Sequence, residues 1–141
     1  MERPRRRLTV MAALDVAGYS GLMQGDELRT LSALGTIYKG IARPTLAKFG
    51  GTVIKTMGDG GLIEFDSVLD AVEWTMNFQR AVAKRNATTK GDKIWVRAAI
   101  VLADVIVADQ DRFGAAIGFA SRMQEAAPPG GIAITHSTSS S

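Results

Sequence analysis

Val53-Ile-Lys-Thr-Met-Gly-Asp-Gly-Gly-Leu-Ile-Glu-Phe65 is an apolar run, a glycine-rich break around one aspartate, and a second apolar run. Glycines allow the positive backbone angles of a tight turn, so the stretch reads as a hairpin with strands over residues 52–56 and 62–65 and Asp59 at its tip. A second segment, Met11-Ala-Ala-Leu-Asp-Val-Ala-Gly-Tyr-Ser20, likewise ends an apolar run on an aspartate near glycine. A carboxylate where a buried strand opens into a turn is held rigidly yet stays accessible. Divalent magnesium or manganese needs hard oxygen ligands of that kind. On residue type alone, Asp15 and Asp59 are either a metal pair or turn-forming aspartates.

Outward from these segments, residues 8–16 read as a strand. The stretch 26–49 reads as helix because Leu28, Leu31, Leu34, Ile37, Tyr38 and Ile41 recur at three- and four-residue steps. Pro44 kinks or divides it, and Gly50-Gly51 ends it. A second amphipathic helix over 68–87 turns Leu69, Val72, Met76 and Phe78 to the core. Residues 94–107, rich in Val and Ile, form a central strand. A turn at 109–112, a helix over 113–127 and a last strand over 131–135 complete the order. That order predicts an α+β, ferredoxin-like domain, with helices packed on one face of a mostly antiparallel sheet.

The 141 residues, 46% apolar with four prolines, suit one domain with its own core and argue against disorder. We expect a basic tail at 1–7, the domain at 8–135 and a polar tail at 136–141. The net charge of +3 lies largely in Arg3, Arg5, Arg6 and Arg7, leaving a near-neutral body that gives no nucleic-acid signature. No cysteine occurs, which excludes disulfides and Cys-based zinc sites. With neither a membrane-length apolar run nor a signal peptide, a soluble, cytoplasmic protein is expected. His136 reads as a surface residue, Trp74 and Trp95 as partly buried anchors, Met57 as packing behind the hairpin, and Arg97 as support for the fold or an interface.

The motifs Asp15-Val-Ala-Gly-Tyr-Ser20, Lys55-Thr-Met-Gly-Asp-Gly60, Arg97 to Val107, Asp111-Arg-Phe-Gly114, Ser121-Arg122 and Pro129-Gly-Gly-Ile132 occur in order. On them the chain resembles the catalytic domain of the class III adenylate/guanylate cyclases, bacterial branch. The resemblance implies conversion of ATP to 3',5'-cyclic AMP and pyrophosphate. Asp15 and Asp59 would hold two Mg2+ or Mn2+ ions, and the segment Val16, Gly18, Tyr19, Ser20 would cradle phosphates. Lys55 and Asp111 would read the adenine edge, and Arg122 would stabilise the transition state. It also implies a homodimer, because in the family Arg122's counterpart acts across an interface on the other subunit's metal site.

The chain departs from the family where Gly118 replaces an asparagine four residues before Arg122. Ala99 and Ala103 replace glycines, and Ala115 stands where a polar residue is common. The family's further helix and lysine-bearing hairpin are not in the sequence, which reads as a domain incomplete at its C-terminus. The alternative is therefore a weak or inactive homology domain that binds nucleotide or a partner and acts in regulation, with a regulatory domain or heterodimer partner. A diguanylate-synthesising relative is disfavoured, because Gly58-Asp-Gly-Gly61 stands where its Gly-Gly-[Asp/Glu]-Glu-Phe signature would be.

Overall fold

A computed structural model describes residues 3–109 and 111–136, apart from the side chains of Met57, Ala116, Thr135 and His136. The expectations for the polar tail beyond residue 136 and for the side chains of Met57 and His136 lie outside the described residues, while the backbone of His136 belongs to the last strand.

The chain runs β1 (Arg5–Val16), α1 (Tyr19–Gly25), α2 (Glu27–Gly35), a π-helical segment (Thr36–Ala42), α3 (Arg43–Leu46), a 3-10 turn (Ala47–Phe49), β2 (Thr52–Met57), β3 (Gly60–Phe65), α4 (Val68–Thr88), β4 (Val96–Ala108), β5 (Asp111–Phe113), α5 (Ala115–Ala126) and β6 (Ile132–His136). The sheet order is β2-β3-β1-β4-β5, with β6 beside β4. All pairings are antiparallel except β4 with β6. The α+β class and the antiparallel ferredoxin-like sheet are as expected.

The β1–β4 ladder runs unbroken from Arg5↔Val107 to Val16↔Val96. Alternation along it sends side chains to two faces. Val10, Ala12, Leu14, Val16, Val96, Ala98 and Ile100 join Trp74, Phe78, Val82 and Ile37 in the larger core. Met11, Ala13, Val101, Ala103, Val105 and Val107 form a smaller layer with Ala120 and, at its edge, Ile117 and Phe119. So α5 packs on the face opposite α4, whereas the order of elements put the helices on one face. A helix's apolar stripe says that it packs, not on which side of a sheet that is buried on both faces.

Other differences have local causes. The first strand begins at Arg5 rather than residue 8, because Arg5–Arg7 extend the ladder and Arg7 pairs with Glu64. The 26–49 helix is divided, and α1 precedes it. Its π turn closes with Arg43 N–H donating to the Tyr38 carbonyl, one residue before Pro44, whose ring would crowd the carbonyl of Gly40 in a regular α-helix. Leu28 and Leu31 are exposed, while Leu34 and Ile37 are buried. On α4 the core stripe is Ala71, Trp74, Thr75, Phe78, Gln79, Val82 and Asn86. Leu69 and Met76 are exposed, and Trp74 is fully buried. Trp74 stacks on Phe78 at 5.1 Å, and this large ring sets the helix's rotation. Where a turn was expected after β4, Asp111–Phe113 adds a short strand, with Asp109 in the preceding turn at φ 51°.

Candidate active site

Asp59 lies between β2 and β3. Only Gly58 of the turn's glycines has positive φ, at 39°. Gly60 is needed for a different reason: a Cβ there would sit 1.8 Å from the Leu14 carbonyl oxygen, so only a bare backbone passes this close to β1. The contact lays the hairpin against the end of β1, where Asp15 sits. Asp59 Oδ2 accepts from the Val16 amide at 3.0 Å, and the Tyr38 hydroxyl donates to the Asp59 carbonyl at 2.6 Å. Burial, then the charges of Asp59 and Asp15, push the Tyr38 hydroxyl far above its ordinary pKa. One phenol thus senses both carboxylates.

Asp15 faces Arg97 directly across the β1–β4 ladder. Arg97 donates from Nε to Oδ1 at 2.9 Å and from Nη2 to Oδ2 at 2.6 Å. The bidentate hydrogen bond to Asp15 holds the Arg97 guanidinium above its usual value; burial opposes this, and Asp15, Glu125 and Asp59 add charge in support. The structure therefore brings the two predicted aspartates together and places a cation on one of them. Among the described residues no cluster of three or more His, Cys, Asp or Glu side chains could hold a metal. Two converging hard-oxygen donors, one already accepting a cation, still suit Mg2+ or Mn2+.

Of the amides from Val16 to Ser20, that of Val16 is committed to Asp59 and that of Ala17 to the Trp95 carbonyl at 2.8 Å. Gly18, at φ 68°, caps α1. The first-turn amides of Tyr19 and Ser20 lack intrahelical acceptors. The Tyr19 side chain packs on the core, and Ser20 is exposed.

Lys55 and Asp111 meet, with Nζ 3.3 Å from Oδ1, and Nζ also lies 5.7 Å from the centre of the Phe113 ring. The Asp111 carboxyl sits below its ordinary value, chiefly because the Arg112 amide donates to it, with desolvation opposing and Lys55 helping. Both groups are more than a third exposed, so the pair adds little stability. Its interest lies in position.

Arg122 is exposed on α5 and makes no hydrogen bond or ion pair with Asp15, Asp59, Lys55 or Asp111 among the described residues. Its Nη1 lies 3.3 Å from where a Cβ on Gly118 would be. The arginine therefore folds back along its own helix, over the space that a side chain at 118 would enter. Ala99 and Ala103 are buried on β4.

Sequence reading missed a charged anchor. Glu64, buried on β3, accepts from Arg112 Nε at 2.9 Å and Nη2 at 3.0 Å, and from Arg7. Burial pushes its carboxyl up, but the hydrogen bonds and charge of Arg112, then Arg7 and Thr9, hold it below the ordinary value. The one available signal was a lone charge between Ile63 and Phe65. Tyr38 gave no separate signal, since it fits the helical stripe.

No family model matches the chain. It is 39% identical over 135 residues to a putative adenylate cyclase of Rhizobium meliloti, covering 95% of this chain but only 23% of that relative. Among solved structures, an adenylate/guanylate cyclase/hydrolase from Silicibacter pomeroyi superimposes with a TM-score of 0.85 at 33% identity, covering 94% of this chain and 77% of that one. An adenylyl cyclase from P. aeruginosa, at 21% identity and a TM-score of 0.77 over 95% of this chain and 79% of that one, shares the fold. With this likeness along nearly its whole length, the chain belongs to the class III adenylate/guanylate cyclase catalytic domains, bacterial branch.

Proposed function

We propose that the domain converts ATP to 3',5'-cyclic AMP and pyrophosphate in the cytoplasm, at a site shared between two copies of the chain. The observation that carries this reading is the convergence of Asp15 and Asp59 beside Val16. In the reaction the ribose 3'-oxygen bonds to the α-phosphorus and loses its proton, while the bond from that phosphorus to the bridging oxygen of pyrophosphate breaks. Asp15 and Asp59 would hold two divalent ions, which lower the cost of forming the 3'-alkoxide and offset charge on the phosphates.

The chain's own groups account for the rest. Lys55 donates to adenine N1, and Asp111 accepts from the 6-amino group. Guanine presents the reverse polarity at both atoms, so the pair favours ATP over GTP. The amides of Gly18, Tyr19 and Ser20 receive phosphate oxygens. Arg122 carries a planar, permanently charged fork suited to charge developing at the α-phosphate. Arg122 makes no hydrogen bond or ion pair with the aspartates of its own copy among the described residues, which suits its supply by a second copy or a heterodimer partner.

A second reading, a regulatory homology domain that binds nucleotide without turning it over, is favoured by Gly118, which has no side chain to orient the ribose. One assay separates the two. Cyclic-nucleotide and pyrophosphate production from ATP and GTP is measured with Mn2+ at high protein concentration, against Asp59→Ala. Turnover of ATP that disappears in the variant supports the cyclase. A folded, dimeric protein that binds ATP without turnover supports the regulatory domain.

A further inference from the structure

Behind the hairpin, on the α4 side of the sheet, lies a cavity of about 200 Å3 whose lining includes Lys55, although the Lys55 ammonium is engaged by Asp111. Its floor is Leu14, Ala42, Leu46, Val53 and Ile63, and Gly58, Gly60 and Gly61 leave one wall without side chains. Its rim carries Lys39 and Arg43, four residues apart across the π turn. Neither makes an ion pair or a side-chain hydrogen bond among the described residues, and no acidic residue lines the cavity. Two unanswered cations over an apolar hollow match an amphiphilic anion. An apolar cavity of about 150 Å3 accepts benzene, so this one takes an alkyl chain of about eight carbons.

We propose that this cavity binds a medium-chain alkyl carboxylate, with the chain among Leu14, Leu46, Val53 and Ile63 and the carboxylate between Lys39 and Arg43. The site is placed to be felt at the aspartates. Tyr38, whose carbonyl closes the π turn, lines the cavity and holds the Asp59 carbonyl through its hydroxyl. π turns are uncommon and gather at functional sites. A bound chain wedges between this turn and the hairpin, coupling occupancy to the position of Asp59.

The test needs no turnover. Butanoate, hexanoate, octanoate and octanol are titrated into the 141-residue chain by calorimetry, with amide NMR spectra recorded alongside. The expected result is saturable binding that tightens about 4-fold per added methylene up to octanoate, with shifts at Gly58, Gly60 and Gly61. The double variant Lys39→Ser, Arg43→Ser should weaken octanoate at least tenfold and leave octanol unchanged. Val53→Phe, which grows the wall inward, should abolish octanoate binding with the fold intact by thermal melting. Absence of saturation, affinity independent of chain length, equal affinity in the double variant, or shifts remote from the hairpin would each overturn the proposal.

Discussion

Glu64→Gln probes the anchor that holds β5, and with it Asp111, against the sheet. β5 has only three ladder pairs, Ile106↔Phe113, Val107↔Arg112 and Ala108↔Asp111. Arg112 ties it down by its two hydrogen bonds to Glu64, and its Nη1 donates back to the carbonyl of Asp111, within β5 itself, at 3.1 Å. The Glu64 and Arg112 side chains are 7% and 11% exposed, whereas Arg7 is 41% exposed and can turn to water. Removing one partner of a buried pair costs about 3–5 kcal/mol because a charge is left uncompensated. With Arg7 relieved, about 3 kcal/mol is expected here, or about 10 °C in Tm for a domain of this size. The pH dependence identifies the cause. The folded carboxyl lies below its ordinary 4.5, so its contribution is complete above that value and is lost as pH falls through the folded pKa. Urea unfolding should therefore show the full gap between parent and variant at pH 7 and a shrinking gap below about pH 4.5. Preference for ATP over GTP should fall as well, since Asp111 loses its support. A variant within 0.5 kcal/mol of the parent at neutral pH, or a gap as wide at pH 3.5 as at pH 7, would refute the reasoning.

Gly118→Asn restores a side chain at the bend of Arg122, pushes the guanidinium off the helix, and should raise turnover about 10- to 100-fold, measured as kcat with helix content checked by circular dichroism. Gly60→Ala puts a methyl 1.8 Å from the Leu14 carbonyl and should cost more than about 3 kcal/mol, against about 1 kcal/mol for Gly58→Ala, where only φ is strained; comparable losses by chemical denaturation would sink the close-approach argument. Arg97→Gln frees the Asp15 carboxylate and should tighten Mn2+ binding about tenfold by calorimetry while lowering stability by about 1–2 kcal/mol; weaker metal binding would mean that Arg97 helps to build the site. Tyr38, its hydroxyl pKa raised by burial and the two aspartates, should stay protonated in an ultraviolet titration of the folded protein past pH 10, where the unfolded chain ionises. Stability should accordingly fall above pH 10 in the parent and fall less in Tyr38→Phe.

What could be read from the residues was what repeats or recurs. The hairpin announces itself by its glycine-rich break, the long central strand by its Val and Ile content, α4 by its period, and Asp15 and Asp59 by standing at strand ends beside glycine. Resemblance, not periodicity, singled out Lys55, Asp111 and Arg122. The π turn was hidden because a one-residue widening leaves the apolar spacing nearly intact, so only Pro44 hinted at it. β5 was hidden because three residues cannot show alternation, and its pairing depends on Arg112 reaching Glu64, 48 positions away. Arg97 lies 82 positions from Asp15, and only the register of β1 on β4 makes them neighbours.

The two faces of the sheet divide the work, and the division bears on the positions where the sequence was read as departing from the family pattern. The α4 face carries the large side chains, including Trp74, Phe78, Phe65 and Ile37, and hence most of the apolar burial. The α5 face carries a thinner layer of Val and Ala, alongside Glu64, Arg112, Asp15 and Arg97. Ala103 lies in that layer, Ala99 shares its side of β4 by alternation, and Gly118 is exposed on α5. Changes there remove or add a few atoms where little stability resides, so the fold tolerates them. Substitution on this face therefore shifts chemistry before stability, with one exception: Glu64, whose buried charge ties the chemical face to folding.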